Sequence, residues 1–287
     1  MPGPDVAPRL SVVIPVRDRP DALVAAVGSI ISDWAGPEVE VIVVDDGSSD
    51  DTADRANAIG DHRVSVLSIP PSGVTAARNH GVQHARASFV SFLDSDDVVL
   101  PGWVEAMVTA ADRGLDLFSC ADIERHDQRG DTVLEPSPLG SAFGGLTGRY
   151  QPGTFGVSRS AFLDAGGYMP GLRFGENTVL WMELGRLHLR EPLTTDWTRT
   201  PLVVVHRRDR PYDAALMYES GVKTFERVGD MLGRDRRQRA DHLAITGVAA
   251  SRLGHRREAL GLLARAVRAR PFPPVNSLRW FRALVGR

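Results

Sequence analysis

The chain has 287 residues, of which 43% are hydrophobic, with 34 basic and 36 acidic side chains and a formal charge of -2. This length and composition suit one large domain, or one domain with an appendage, and the nearly balanced charge argues against nucleic acid as the main partner. Cys120 is the only cysteine, which excludes a disulfide framework, and we expect it to be a small buried side chain.

The N-terminus shows no export signal. Residues 1–8 lack a basic region followed by an apolar core. No apolar run approaches the roughly 18 residues that a bilayer-spanning helix needs. We therefore expect a cytoplasmic protein, with contact to a membrane surface left open.

Strand and helix signals alternate through the first half of the chain. Short apolar runs predict buried strands at 11–16, 39–44, 64–69, 88–93 and 115–119. Amphipathic spacing, with Pro20 in a first turn and Gly60 after a last one, predicts helices near 20–34, 52–59, 74–86 and 101–113. The alternation is typical of an α/β fold with a doubly wound, mainly parallel sheet and helices on both faces.

The alternation stops after Asp122. The glycine-rich segment 140–153 is predicted to be a mobile loop or linker. A further strand is predicted at 202–205. From Tyr212 onward the signals are helical, with a helix pair at 242–253 and 255–268.

Two of the strongest strands end in acidic clusters. Asp45 and Asp46 follow the strand 39–44, and Asp94-Ser95-Asp96 follows the strand 88–93. In doubly wound sheets, ligands bind beyond the carboxyl ends of the strands. Carboxylates with open positions suit Mg²⁺ or Mn²⁺ bridging two phosphates. The alternative is that both clusters are acidic turns that cap the helices after them.

A third segment, 72–81, places small residues at the start of a helix. Backbone N–H groups near Gly73 and the side chain of Arg78 are suited to approach phosphate or base. The alternative is close packing of the helix on the sheet, with Arg78 solvated or paired to a nearby Asp. Asp122 has two interpretations as well, a contact to a donor sugar or a loop cap.

Four motifs occur in the order typical of one family. They are residues 11–19 (SVVIPVRDR), 43–52 (VVDDGSSDDT), 73–81 (GVTAARNHG) and 92–97 (FLDSDD). On these the chain resembles glycosyltransferase family 2, whose catalytic domain has the GT-A fold, over roughly residues 10–205. The resemblance implies a metal-dependent, inverting enzyme that moves a sugar from a nucleoside-diphosphate-sugar to an acceptor hydroxyl. We expect UDP as the nucleotide, and a role in making glycans, glycolipids or glycosylated metabolites.

The resemblance also implies roles for single residues. Those expected to contact the nucleotide sugar are Pro15, Val16, Arg17, Asp45, Asp46, Gly73, Arg78, Asp94, Ser95 and Asp96. Asp96 is the expected main ligand of Mn²⁺ or Mg²⁺, with Asp94 binding ribose or water around the metal, and Asn79 supporting the site. Family members usually have an aromatic residue and an Asn where this chain has Arg17 and Asp18.

The acceptor half departs further from the family. The usual Glu-Asp pair, in which the Asp is taken as the base, is Glu176-Asn177 here. Because an amide cannot accept a proton at useful pH, our hypothesis makes Glu176 the catalytic base. Two alternatives stay open: Glu176 interacts with the exposed N–H groups of a helix start, or the chain binds nucleotide sugars without catalysis. His206 is a candidate third metal ligand, with Asp209 as its competitor, or else an ordinary surface or core histidine.

These expectations divide the chain into a flexible N-terminus (1–9), a catalytic domain (10–205) and a helical C-terminal extension (206–287). The catalytic domain would have a nucleotide-binding half (10–121) and an acceptor half (122–205). Arginines line the predicted C-terminal helices, and 277–282 adds aromatic residues to basic ones. This extension is interpreted as a peripheral membrane contact, or as a helical cap or homodimer contact.

Overall fold

The computed structural model describes residues 7–126, 129–207 and 211–271. The strands are β1 (Leu10–Val16), β2 (Val39–Asp45), β3 (Val64–Ser68), β4 (Phe89–Phe92), β5 (Val98–Val99), β6 (Leu117–His126), β7 (Gly130–Leu134), β8 (Ser137–Pro138), β9 (Thr147–Gly148), β10 (Phe155–Ser158) and β11 (Thr195–Arg207). The helices are α1 (Pro20–Asp33), α2 (Thr52–Asn57), α3 (Val74–His84), α4 (Trp103–Asp112), α5 (Arg159–Asp164), α6 (Glu176–Arg190), α7 (Ala214–Gly233), α8 (Arg236–Arg252) and α9 (Arg256–Ala269).

The main sheet has the strand order β3-β2-β1-β4-β10-β6-β11-β5, with β7 added beside β6. The first four strands in this order are all parallel. Strand β10 runs antiparallel between β4 and β6, while β11 is parallel to β6. The carboxyl ends of β2, β1 and β4 therefore lie side by side at one edge of the sheet.

Side-chain alternation along the strands builds a packed layer on each face. On one face, alternate residues of β1 such as Val12 and Ile14 join a core with Leu23 of α1 and Trp103 of α4. On the other face, Val13 meets α3 so closely that a Cβ at Gly81 would lie 2.4 Å from Val13 Cγ1. The predicted mainly parallel sheet with helices on both faces is confirmed, and Cys120 is fully buried as expected.

Two compact packing units divide the chain. Counting described residues only, unit 1 contains 7–126, 129–138, 146–171 and 187–207, and unit 2 contains 139–145, 172–186 and 211–271. The predicted start of a C-terminal extension at residue 206 therefore does not coincide with the packing units, because two earlier segments pack with the C-terminal helices. The division into functional domains stays a prediction. None of the helices in the described ranges is both long and apolar enough to cross a membrane.

For the first residues of segment 140–153, the prediction of a mobile loop or linker is wrong. Ala142 and Phe143 are buried in a short 3-10 turn. A Cβ at Gly144 would lie 2.3 Å from the carbonyl oxygen of Gly185 in α6, so the two backbones approach closely. Gly144 serves this close approach, and sequence composition does not distinguish that use of glycine from chain mobility.

Candidate functional site

The acidic segments that follow β2 and β4 lie on either side of β1. Val16 at the end of β1 pairs with Asp45 at the end of β2, and Val13 pairs with Phe92 of β4. Asp94 follows two residues after that last pairing. The structure therefore places the two clusters at the same edge of the sheet, as the strand pattern predicts.

The carboxylates after β2 organise the loops around them. Asp45 and Asp46 are buried, at 5% and 6% exposure. Asp45 Oδ1 accepts a hydrogen bond of 3.1 Å from Ser48 N. Asp46 accepts from Ser72 N at 2.6 Å and from Gly73 N at 2.8 Å, which ties the end of β2 to the start of α3. Their contact with base or ribose stays a prediction.

Arg78 and Asp94 form an ion pair in which the arginine is buried and the carboxylate is 37% exposed. The Arg78 side chain is 1% exposed, and one of its terminal nitrogens donates to Asp94 Oδ1 at 2.6 Å. Its guanidinium carbon lies 4.9 Å from the centre of the Tyr168 ring. Asn79 holds the backbone of Tyr168 through hydrogen bonds of 2.8 Å and 2.9 Å. Close helix packing with Arg78 paired to a nearby Asp is the alternative interpretation given for segment 72–81, and contact of Arg78 with the nucleotide stays a prediction.

Arg19 and Asp96 form a second ion pair, which the sequence did not indicate. Arg19 Nη1 lies 2.7 Å from Asp96 Oδ2, with side-chain exposures of 33% and 12%. Asp18, just before Arg19, has φ = 52°, the sole non-glycine residue with positive φ in the described ranges. The Arg17 side chain is largely exposed, and its Nε lies 3.6 Å from Asp18 Oδ2. Asp94 and Asp96, the two carboxylates predicted to lie at the metal, are thus each paired with an arginine.

Asp97 belongs to the same cluster, although sequence reasoning assigned it no role. It is 2% exposed and accepts a hydrogen bond of 2.8 Å from the backbone N of His206. Burial, with the charges of Asp94 and Asp96, raises the pKa of Asp97. His206 Nδ1 is buried and has no hydrogen-bond partner among the described residues. It lies 3.8 Å from Asp97 Oδ1. The competing Asp209 lies outside the described ranges.

The carboxylate oxygens of Asp94 and Asp96 suit a divalent cation in their chemistry, but they do not form a ready-made metal site. Within the described part of the chain, no three His, Cys, Asp or Glu side chains are gathered closely enough to hold a metal ion. Asp94 and Asp96 nevertheless offer the hard oxygen atoms that Mg²⁺ and Mn²⁺ prefer. Burial is the main cause of the raised pKa of Asp97, and the negative charges of Asp94 and Asp96, which a bound cation would offset, add to it. The residues present therefore fit the implied metal.

Asp122 and Glu176 are the two remaining candidates for contact with the sugar or the acceptor. Asp122 is fully buried and held by Arg149 through bonds of 2.7 Å and 2.9 Å, an arrangement that supports loop holding rather than sugar contact. Glu176 is the first residue of α6 and belongs to unit 2. Its Oε1 accepts a hydrogen bond of 3.2 Å from Asn177 Nδ2. The role of Glu176 as a base stays a prediction, and the basic-aromatic segment 277–282 lies outside the described residues.

Comparison with known proteins agrees with this geometry. The sequence pattern of Glycosyl transferase family 2 matches residues 11–175. The succinoglycan biosynthesis proteins ExoO and ExoU of Rhizobium meliloti are 37% and 36% identical over 112 and 95 residues, covering 39% and 32% of this chain. The matched segments span only 32% and 27% of those two relatives.

The fold is similar to that of solved structures of S. aureus TarS. S. aureus TarS 1-349 in complex with UDP-GlcNAc has a TM-score of 0.67 at 17% identity, covering 97% of this chain and 88% of TarS 1-349. The same protein in complex with UDP has a TM-score of 0.66 at 16% identity, covering 97% and 87%. The predicted GT-A fold is thereby confirmed.

Proposed function

The chain belongs to Glycosyl transferase family 2, and we propose that it transfers a sugar from a nucleoside-diphosphate donor to an acceptor hydroxyl. One observation carries the proposal: two acidic strand ends flank β1, and both Asp94 and Asp96 are matched by arginines. Carboxylates and guanidinium groups at one sheet edge can bind a diphosphate when a divalent cation joins them. Manganese or magnesium is the cofactor we propose.

Each of these residues has a proposed task in donor binding. Asp45 and Asp46 accept hydrogen bonds from base or ribose beside the strand end at Pro15, Val16 and Arg17, while the N–H of Gly73 donates to Asp46 and holds that carboxylate in place. Asp96, with Asp94 and Ser95 beside it, would hold the metal, which when bound supplies positive charge to the diphosphate. Arg78 adds a fixed positive charge where the leaving group becomes more negative. His206 is retained as a third candidate ligand.

The nucleotide and the pathway are proposed from the relatives. TarS was solved with UDP and with UDP-GlcNAc, and ExoO is a succinoglycan biosynthesis protein. We therefore propose UDP as the nucleotide and polysaccharide assembly as the setting. Thermal unfolding with Mn²⁺ and a panel of UDP-, GDP- and dTDP-sugars tests this, because a ligand that binds only the folded chain raises its melting temperature. Stabilisation by none of the panel would contradict the proposal.

Glu176 is the proposed base for an inverting transfer. It would take the proton of the acceptor hydroxyl as that oxygen attacks the sugar carbon from the side opposite the diphosphate. Glu176→Gln should lower turnover by about 100-fold or more, without weakening donor binding. Glu191→Gln, at an exposed glutamate just after α6, is the matched control. Near-normal transfer by the Glu176→Gln variant rules the assignment out.

The second candidate function is donor binding without transfer, which Asn177 favours because it replaces the family's usual base. A non-catalytic homologue would bind nucleotide sugar with metal but release no sugar. Slow donor hydrolysis that requires both Mn²⁺ and Asp96 separates the two functions. Hydrolysis supports the enzyme, whereas tight binding with no turnover supports the binding protein.

The C-terminal helices suggest where the enzyme works. Residues 234–271 contain ten arginines and three acidic residues. Arg257, Arg265 and Arg268 share one exposed face of α9, with Gly261 between them. We propose that this face contacts an anionic lipid surface and so brings the enzyme to a membrane-bound acceptor.

Co-sedimentation with phosphatidylserine-containing vesicles tests this contact. Replacing Arg257, Arg265 and Arg268 by Gln should abolish binding that the wild-type chain shows at low salt. Vesicles of neutral lipid are the control. A wild-type chain that ignores anionic vesicles but sediments as a dimer would support the homodimer contact instead.

A further inference from the structure

Arg19 occupies an oxygen of the carboxylate that metal binding would require. Its Nη1 lies 2.7 Å from Asp96 Oδ2. We propose that Arg19 is an exchangeable counter-ion, which neutralises Asp96 in the free enzyme and moves to the donor's diphosphate when a divalent cation takes its place. This inference rests on the proposed function, and it adds a positioning residue to the donor site.

The backbone before Arg19 is held in a conformation that aims its side chain across the site. Asp18 has φ = 52°, a region that non-glycine residues rarely adopt and that is often found at ligand sites. Asp18 N donates to Ser48 Oγ at 2.9 Å, and Ser49 N donates to Asp18 Oδ1 at 2.7 Å. Arg19 N donates to Thr52 Oγ1 at 2.9 Å. The loop after β2 and the first residue of α2 therefore fix the backbone from which the Arg19 side chain starts.

The outer end of Arg19 is much freer than that of Arg78. The Arg78 side chain is 1% exposed and lies over Tyr168, whereas that of Arg19 is 33% exposed. An arginine that is partly exposed can leave its carboxylate at low cost, because water solvates the separated guanidinium, whereas a buried arginine lacks that compensation. The Arg19–Asp96 pair can therefore open by movement of Arg19, while the buried Arg78 stays in place although its partner Asp94 is 37% exposed.

Charge balance indicates where Arg19 goes. The two arginines match the two carboxylates Asp94 and Asp96. A divalent cation at Asp96 would add two positive charges, which the two negative charges of a sugar nucleotide's diphosphate balance. The guanidinium fork pairs well with phosphate oxygens. Arg19 thus gains a new partner at the moment when it loses Asp96.

Two titrations on the full chain test the exchange. Arg19→Gln should bind Mn²⁺ alone about three- to tenfold more tightly than wild type, because the competing charge is gone. With saturating Mn²⁺, it should bind a nucleoside diphosphate about tenfold more weakly, because a phosphate contact is lost. The nucleotide is whichever of UDP, GDP and dTDP stabilises the wild-type chain most. Free Mn²⁺ is measured by electron paramagnetic resonance and nucleotide binding by calorimetry.

Arg55→Gln is the matched control, since Arg55 pairs with Asp21 at 2.8 Å on the neighbouring helices and neither residue belongs to the site. It should leave both affinities unchanged. Arg19→Lys keeps the charge, so it should restore most of the nucleotide affinity. Arg19→Met, which removes the charge and keeps most of the side chain's length, is the test variant if Arg19→Gln does not fold.

Affinity changes of opposite sign for Mn²⁺ and nucleotide support the exchange. Changes of the same sign, or no change in either affinity, overturn it and leave the proposed function intact if the wild-type chain binds both ligands. A wild-type chain that binds neither ligand overturns the proposed donor site as well, so the two failures are distinguishable.

Discussion

The arginines of unit 1 and those of the helix pair α8–α9 in unit 2 differ in burial and in pairing with carboxylates. In unit 1, Arg78 and Arg149 are largely buried and lie within 2.7 Å of carboxylate oxygens. In α9, Arg257, Arg265 and Arg268 are exposed and form no ion pair with a described residue. The same residue type therefore has a very different structural cost in the two regions.

This difference separates charges that mark a site from charges that coat a surface. A buried charge is costly unless a partner compensates it, so its presence calls for a role in binding, catalysis or loop placement. An exposed arginine costs little and can be replaced with little effect on folding. We expect substitutions in the first region to have large effects and those in the second to have small effects on stability.

The largest expected effect comes from Arg149→Ala, which leaves the fully buried Asp122 without its partner. The free energy of unfolding should fall by about 3–5 kcal/mol, as measured by urea denaturation. Adding Asp122→Asn should recover part of this loss, because the uncompensated charge is removed. A loss below about 1 kcal/mol would break the contrast between buried and exposed charges.

Asp96→Asn should have the next largest effect, on activity rather than folding. Turnover with Mn²⁺ should fall by about 100-fold, equivalent to about 2.7 kcal/mol in the barrier, because the carboxylate that we propose as the main metal ligand is lost. Donor hydrolysis or transfer is the measurement. Asp131→Asn, at an exposed carboxylate paired with Arg125, should leave turnover near the wild-type value.

Gly81→Ala tests the packing that carries Arg78. The added Cβ would lie 2.4 Å from Val13 Cγ1, so α3 must move away from β1. We expect a loss of about 1–3 kcal/mol in the free energy of unfolding. Combining it with Val13→Ala should relieve the overlap, and a variant as stable as wild type without this second change would contradict the close packing.

The smallest effect is expected from the exposed arginines of α9. Replacing Arg257 and Arg268 by Gln should change the free energy of unfolding by less than about 0.5 kcal/mol. Circular dichroism during thermal unfolding gives the comparison with wild type. A large loss of stability would show that these side chains hold the helix pair together and would weaken their interpretation as a lipid-facing surface.

Much of unit 1 could be predicted from sequence because its signals are local. The apolar runs of β1, β2 and β4 and the acidic residues that follow them occupy adjacent positions, and strand ends in parallel sheets meet at one edge. Two strands are longer than the sequence predicts. Strand β6 continues to His126, beyond the predicted end at 119, and β11 starts at Thr195, before the predicted start at 202. Their exposed ends are polar, so no apolar run marks them.

The order of motifs and the position of the acidic strand ends were determined by sequence alone, since hydrophobic periodicity and short motifs depend on neighbouring residues. Tertiary structure decided which charges pair, namely Asp96 with Arg19 and Asp122 with Arg149. The fold likewise decided that Asp97 accepts a hydrogen bond from the backbone N of His206. It also decided that Gly144 and Gly185 bring two backbones together. These contacts join residues far apart in the chain, and their energy depends on burial, which only the folded arrangement sets.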